Sequence, residues 1–281
     1  MITRFDHAVI GVADLERAIE AYRALGFVVR PGGRHTGEGT HNAIVRFGLD
    51  YLELMAVEDA DLAGSRPFGA QLLESLRGRE GGLIGYVVAG QDLDALTGEM
   101  RRSELDPVGP VAMERQRPDG RSLRWRLLFP RGQRWRDIAP FVIEWITSDA
   151  DRLAWDETLP HSNGVTGVDG LVIVVRDLPQ ASVLYERGLG QRLTPHGRGR
   201  VRVALGDVSV DLVAESDPAA GQLHERGEGL AELTLRVRDI GRAAAVIPGL
   251  IPDADGMRYR IPDQSAQGAR LVLSEVSGSE S

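Results

Sequence analysis

The chain has 281 residues, a formal net charge of -8 and no cysteine. That length suits two ordinary domains or one large one, and a composition of 42% hydrophobic and 26% charged residues is that of a soluble globular protein. The acidic balance, with arginines spread along the chain, gives no nucleic-acid stripe, and the lack of cysteine excludes disulfides, thiolate metal sites and a cysteine nucleophile.

The first element begins at "MITRFDHAVIG", which lacks the apolar core of a signal peptide. No apolar run approaches the roughly 20 residues that a membrane helix needs, so a cytoplasmic protein is expected. "DHAVIGVADLERAIEAY" (Asp6–Tyr22) reads as a β-branched strand, then Asp14 as N-cap, then apolar positions at helical spacing. Three strand-like runs follow: "FVVRPGG", "HNAIVRFG" and "YLELMAV". Between the first two of these lies "GGRHTGEGTHN" (Gly32–Asn42), with two histidines, an arginine and a glutamate among small residues. It does not follow a strand and open a helix, so a P-loop or dinucleotide fingerprint is excluded, and its glycines are assigned to tight turning.

The same order restarts at "GLIGYVVAGQDLDALTGEM" from Gly82, followed by "PVAMERQ", "SLRWRLLF" and "FVIEWIT". "RPDGR" is a hairpin turn between the first two of those strands. "SDADRLAWDETLPHSNG" (Ser148–Gly164) carries neither period and is expected to link two halves. "DGLVIVVRDLPQASVLY" (Asp169–Tyr185) then matches the first copy at constant offset, sharing Asp6/Asp169, Ile10/Ile173, Asp14/Asp177, Leu15/Leu178 and Tyr22/Tyr185. A fourth, shorter copy begins at Leu230 with "LAELTLRVRDIGRAAAVI".

Four βαβββ units opening on "DHxxIxVxDL" resemble the vicinal oxygen chelate superfamily of glyoxalase I, extradiol dioxygenases and bleomycin-resistance proteins. The similarity is greatest to glyoxalase-like proteins in which "DHAVIGVADL", "PGGRHTGEGTHN", "YLEL", "RPDG…LRWR" and "PFVIEW" follow one another. The resemblance implies an α+β fold of four βαβββ modules pairing into two curved-sheet cups. Residues 1–150 would form the pair that carries the site, and residues 165–281 a second, degenerate pair.

In that superfamily, metal ligands enter the cup from the first and last strands of each module. Carried over, the first-strand positions are His7, Gly85, Gly170 and Glu232, and the last-strand positions Glu53, Glu144, Asp211 and Val272. Alternation supports Glu53, which opposes its packed neighbours Leu52 and Leu54, and Glu144 between Ile143 and Trp145. The resemblance thus implies a divalent ion (Mn, Ni, Co, Zn or Fe) on His7, Glu53 and Glu144, with Glu53, Glu144 or His41 moving a proton. Gly85 stands where the family usually places a second His or a Gln, which counts against a two-His-one-carboxylate iron centre. The other reading leaves Glu53 and Glu144 as solvated residues lining a binding cup. His41 begins a strand in which either face could look inward, as ligand, acid/base or local hydrogen-bond partner.

Arg34 and Arg126 (with Arg124 on the same face) are candidates for holding a carboxylate or enolate, and His35 and Asn42 join them on the substrate side. The second half is less equipped, with His161, His196 and His224 in connections. Two functions follow. One is metal-dependent isomerase, lyase or epimerase chemistry on a small oxygen-rich, anionic substrate through an enolate; the other is metal-free sequestration of a small molecule, as in bleomycin-resistance proteins. The expected partner is a small molecule, without nucleic acid or membrane, and the sequence leaves open whether the chain forms a homodimer.

Overall fold

The computed structural model describes residues 1–217, 220, 221, 226–254 and 256–275; His224 lies outside them. Among these residues sixteen strands fall into two sheets. In the first half, β1 (Ile2–Val12), β2 (Arg30–His35), β3 (Thr40–Arg46), β4 (Tyr51–Val57), β5 (Gly81–Gly90), β6 (Val108–Gln116), β7 (Ser122–Phe129) and β8 (Phe141–Trp145) form a closed barrel. Its order is β1-β4-β3-β2-β6-β7-β8-β5. Each βαβββ unit pairs its first strand with its last in parallel, β1 with β4 and β5 with β8. The two units meet at β1–β5 on one side and β2–β6 on the other.

The second half repeats this up to a point. β9 (Val165–Val174) pairs in parallel with β12 (Val208–Val213) and antiparallel with β13 (Gly229–Val237), as β1 does with β4 and β5. Its outer strands, β10 (Leu193–Pro195) and β14 (Ile251–Pro252), are short and leave the eight-stranded sheet open. Each ends in a proline, which cannot donate to a further strand and so blunts the edge.

The repeated Asp marks the start of a helix in all four units. Asp14, Asp92, Asp177 and Asp239 each accept a hydrogen bond from the backbone N–H three residues on, satisfying a donor the first turn leaves free. In α1 (Leu15–Ala24), Leu15, Ala18, Ile19 and Tyr22 are buried, the i, i+3, i+4, i+7 face of an amphipathic helix. That face lies on the outside of the barrel, where Leu52, Leu54, Ala43 and Val45 join one large core continuous with the second half.

A separate apolar cluster lines the inside of the barrel. One of its members comes from a helix that the sequence analysis did not anticipate, Pro67–Leu76 between the two units, whose Leu72 is fully buried against the barrel. The linking segment also holds a helix, α5 (Asp149–Trp155), capped by Ser148.

Candidate functional site

The barrel interior holds a cavity that opens to solvent. Much of its wall is aromatic: Tyr51, Phe68, Trp125, Trp135, Phe141 and Trp145 all line it. Gly85 makes room for one of them, since a Cβ there would lie 3.1 Å from the Trp135 ring. Glu53, on β4, is 5% exposed and faces inward. Its Oε2 is 3.4 Å from Nε2 of His7 and its Oε1 is 3.4 Å from Nε2 of His35. The Asn42 side-chain amide also donates to Oε1, in a short hydrogen bond.

His7 is fixed from three sides. Its Nδ1 donates to Asp6 Oδ1 at 2.8 Å, and its ring stacks on Tyr51, its ladder neighbour, at a centroid distance of 4.4 Å. Consecutive side chains on a regular strand point to opposite faces, so Asp6 and His7 would not meet. The β1–β5 ladder shifts register between Phe5 and His7, and such a bulge re-aims a side chain. Asp6 is wholly buried and also accepts from Trp145 Nε1 at 3.0 Å, with Arg4 at 3.0 Å and Arg152 at 3.7 Å. Arg152 comes from α5 and lies over the Trp145 ring at 3.7 Å.

Charge follows this geometry. Burial alone would raise the pKa of Asp6, but the His7 hydrogen bond and the charges of Arg152, His7 and Arg4 hold it at about 2. Burial likewise opposes ionisation of Glu53, yet hydrogen bonds from His35 and His7 and their charges keep it well below its ordinary value. For His7, burial is outweighed by hydrogen bonds to Asp6 and Glu53, and the pKa rises. The centre is therefore a buried carboxylate–imidazole–carboxylate chain at the polar side of an apolar cavity.

Of the residues chosen from sequence, His7, His35, Asn42 and Glu53 come together here. Glu144 does not. It accepts from the Asp92 backbone N–H at 2.7 Å and pairs with Arg126 on the barrel exterior, while its neighbours Ile143 and Trp145 line the cavity. Arg126 also reaches Asp94 at 2.8 Å, outside the cavity. Arg34 is exposed and paired with Glu58 at 2.7 Å. His41, half-buried beside Glu58 and Arg34, shares their outer face, and burial lowers its pKa. Replacing Arg34 or Arg126 by Met is therefore expected to leave ligand affinity in the cavity unchanged, which calorimetric titration would show.

The metal ligand set His7, Glu53 and Glu144 is thus not assembled. His7, His35 and Glu53 do stand together, but their nitrogens and oxygens face one another at 3.4 Å, and among the described residues no three His, Asp or Glu side chains are placed to hold a metal ion. The two oxygens of Glu53 are turned to different imidazoles, and one is occupied by an amide donor. The residues present do not fit that centre.

Sequence reasoning missed Asp6, Arg115, Arg152 and the clustering of tryptophans. Arg115 had a signal: in "PVAMERQ" it shares alternation with Met113, and both line the cavity. The stretch Gly32–Asn42 is also more than a turn. Arg34 and His35 belong to β2 itself, and a Cβ on Gly32 would lie 2.1 Å from Asn42 Oδ1 and 2.9 Å from Arg115 Nη1. Only glycine lets these two side chains lie against the β2 backbone.

A family described as "Glyoxalase-like domain" matches residues 5–199. The chain belongs to the glyoxalase-like domain family. Among solved structures it is similar to a hypothetical protein from Staphylococcus aureus, at 17% identity and a TM-score of 0.71, covering 97% of this chain and 99% of that one. It is also similar to a mutant of 4-hydroxymandelate synthase from Streptomyces coelicolor, at 11% identity and a TM-score of 0.62, covering 100% and 94%. A third is a xylose isomerase-like TIM barrel/4-hydroxyphenylpyruvate dioxygenase fusion protein, at 13% identity and a TM-score of 0.59, where all of this chain spans 50% of that one. At these identities the likeness is one of fold, which carries many chemistries. No curated protein sequence matches. The glyoxalase-like fold resides in α+β modules that place the first strand beside the last, and here that juxtaposition sets His7 beside Glu53.

In the second half the corresponding sheet positions are tied up in ion pairs. Asp211 is held by Arg200 and Arg202, and Glu232 by Arg258 and Arg270. His196 is exposed, and His161, in the linking segment, accepts from the Val28 N–H of the first half at 2.9 Å. Among the described residues, no histidine joins those carboxylates.

Proposed function

We propose that this glyoxalase-like domain is an enzyme that moves a proton on a small molecule bound in the barrel, with Glu53 as the accepting base. The observation that carries this reading is the buried Asp6–His7–Glu53 chain facing a largely apolar cavity. Burying such charges costs several kcal/mol per ion before pairing offsets it. A protein that only sequesters an apolar molecule gains nothing from that cost. Strongly shifted ionisable groups in a cleft mark a site built for chemistry.

Glu53 is held ionised, which makes it available but a weak base. Proton removal therefore depends on stabilising the charge that appears on the substrate, through N–H donors around the cavity. His7, fixed by Asp6 and stacked on Tyr51, keeps one Glu53 oxygen in place and balances its charge. His35, hydrogen-bonded through Nδ1 to Thr40 at 2.9 Å, stands at the other oxygen and offers a route for the proton to leave. A ligand with a carbonyl or carboxylate oxygen and an acidic C–H suits this arrangement. No step is assigned to a metal.

The test is loss of the benzylic proton signal of phenylacetone in D₂O, followed by NMR. Wild type is expected to accelerate exchange, in the presence of EDTA as in its absence, and Glu53→Gln to lose the effect. Binding of the ketone by wild type without accelerated exchange would favour sequestration. Exchange that EDTA abolishes and a divalent ion restores would return the reading to metal-dependent chemistry.

A further inference from the structure

Two side-chain nitrogens among the described residues are buried without any hydrogen-bond partner: Nε of Arg152 and Nε of Arg115. Arg152 has an explanation. Its guanidinium lies flat on Trp145, and its terminal nitrogens reach Asp149 and Asp6. Arg115 has none of these. It is 5% exposed, lines the cavity, and forms no ion pair among the described residues; its hydrogen bond from Nη1 to Asn42 Oδ1 is a long one, 3.3 Å. Guanidinium carries five N–H donors in a rigid fork that matches a carboxylate.

A buried cation without a counter-ion is costly, and neighbouring charge makes this one worse. Burial lowers the Arg115 pKa, and although Tyr51 and Glu53 raise it, the like charges of Arg117 and Arg46 lower it further. Those two arginines are themselves paired with Asp156. An anion entering the cavity would meet a guanidinium whose Nε no described residue satisfies. Between Glu53 and Arg115 stands the Asn42 amide, which donates to Glu53 and accepts from Arg115.

The walls add a second, independent constraint. Three of the four tryptophans line this cavity, and the rings of Phe68, Trp135 and Phe141 are mutually 5.1–5.5 Å apart. Trp125 stands 5.4 Å from Trp145 and edge-on to His35 at 6.5 Å. Such surfaces favour a planar ring, through offset and edge-to-face contacts.

We infer that the cavity binds aromatic carboxylates, the carboxylate on the free edge of Arg115 and the ring among Trp125, Trp135 and Trp145. This deepens the proposed function by naming a ligand class, and it rests on the same cavity being the ligand site. It also moves anion recognition from Arg34 and Arg126 to Arg115. An aromatic acid held there presents its side-chain carbons toward the face occupied by His7, His35 and Glu53.

The experiment is calorimetric titration of the full chain with indole-3-acetate, its uncharged partner indole-3-acetamide, and acetate, at pH 7. Wild type is expected to bind the acid on the order of tenfold more tightly than the amide, and acetate not measurably. Arg115→Met should abolish the preference for acid over amide, while Trp135→Ala should weaken both indoles alike. Should Arg115→Met not fold, the comparison of the three probes on wild type still decides. Equal binding of acid and amide, acetate binding as well as indole-3-acetate, no binding of any probe, or a preference that survives Arg115→Met would each overturn the assignment. Because binding is read without turnover, a failed proton-transfer assay with the preference intact removes only the catalytic reading.

Discussion

Replacing Glu53 by Gln is expected to lower proton-transfer activity by about 10²- to 10⁴-fold, the usual worth of a positioned acid or base. Glutamine keeps the shape and retains an oxygen for the Asn42 amide, so the cavity should persist. What changes is charge. His7 loses one of the two carboxylates that raise its pKa, and its imidazolium becomes easier to deprotonate. The effect on stability depends on pH, and its sign follows from the two shifts. A depressed Glu53 pKa contributes stability that is present above its ordinary 4.5 and lost as pH falls through the folded value. A raised His7 pKa contributes stability that is present below its ordinary 6.5 and lost as pH rises through the folded value. The pair therefore stabilises wild type most between 4.5 and 6.5. Melting temperatures across pH 4 to 9 should show this maximum in wild type and a flatter curve in Glu53→Gln. An unchanged curve would mean that the two groups are not paired in solution.

The fold was legible because its signals are local and repeated. Asp14, Asp92, Asp177 and Asp239 end strands and cap helices, and each does so through its own side chain and the residues next to it. His7 and Glu53 were legible for the same reason: Leu52 and Leu54 pack beneath α1, so alternation sends Glu53 into the barrel. The identical rule failed at Glu144 because alternation gives two faces without saying which one is inside. Around β8 the interior is apolar, so Ile143 and Trp145 take it and Glu144 is left outside with Arg126. The same inversion exchanged Arg126 for Trp125. A content of 5% aromatic residues gives no sign of an aromatic cavity, because composition averages over the chain while the barrel gathers its rings on one surface. Arg152 was out of reach of any periodicity. It meets Asp6 only because the linking segment folds back as α5 onto β1 and the Trp145 ring.

Substituting Asn for Asp6 is expected to destabilise the protein by about 3–5 kcal/mol, the cost of removing one partner from a buried ionic group. Asp6 is wholly buried and is faced by three cations, His7, Arg4 and Arg152, of which Arg152 is 1% exposed. Holding its carboxyl at about 2 rather than 3.8 corresponds to a contribution on the order of 2 kcal/mol, present above 3.8 and lost as pH falls through 2. The larger figure expected for the substitution reflects what is left behind. Arg152 would keep Asp149, which is largely exposed, and the face of Trp145, but no buried anion. A double-mutant cycle separates this from loss of shape. Arg152→Leu removes the stranded cation, so Asp6→Asn should cost less in that background, with a coupling of about 1–3 kcal/mol in urea titrations. Strict additivity would show that Asp6 acts through packing and the Trp145 N–H alone. The substitution should also loosen His7, because an amide can meet Nδ1 as donor as well as acceptor and no longer fixes which nitrogen carries the proton. Activity should then fall even under conditions where Asp6→Asn is fully folded, by less than with Glu53→Gln, since His7 orients the base and Glu53 is the base.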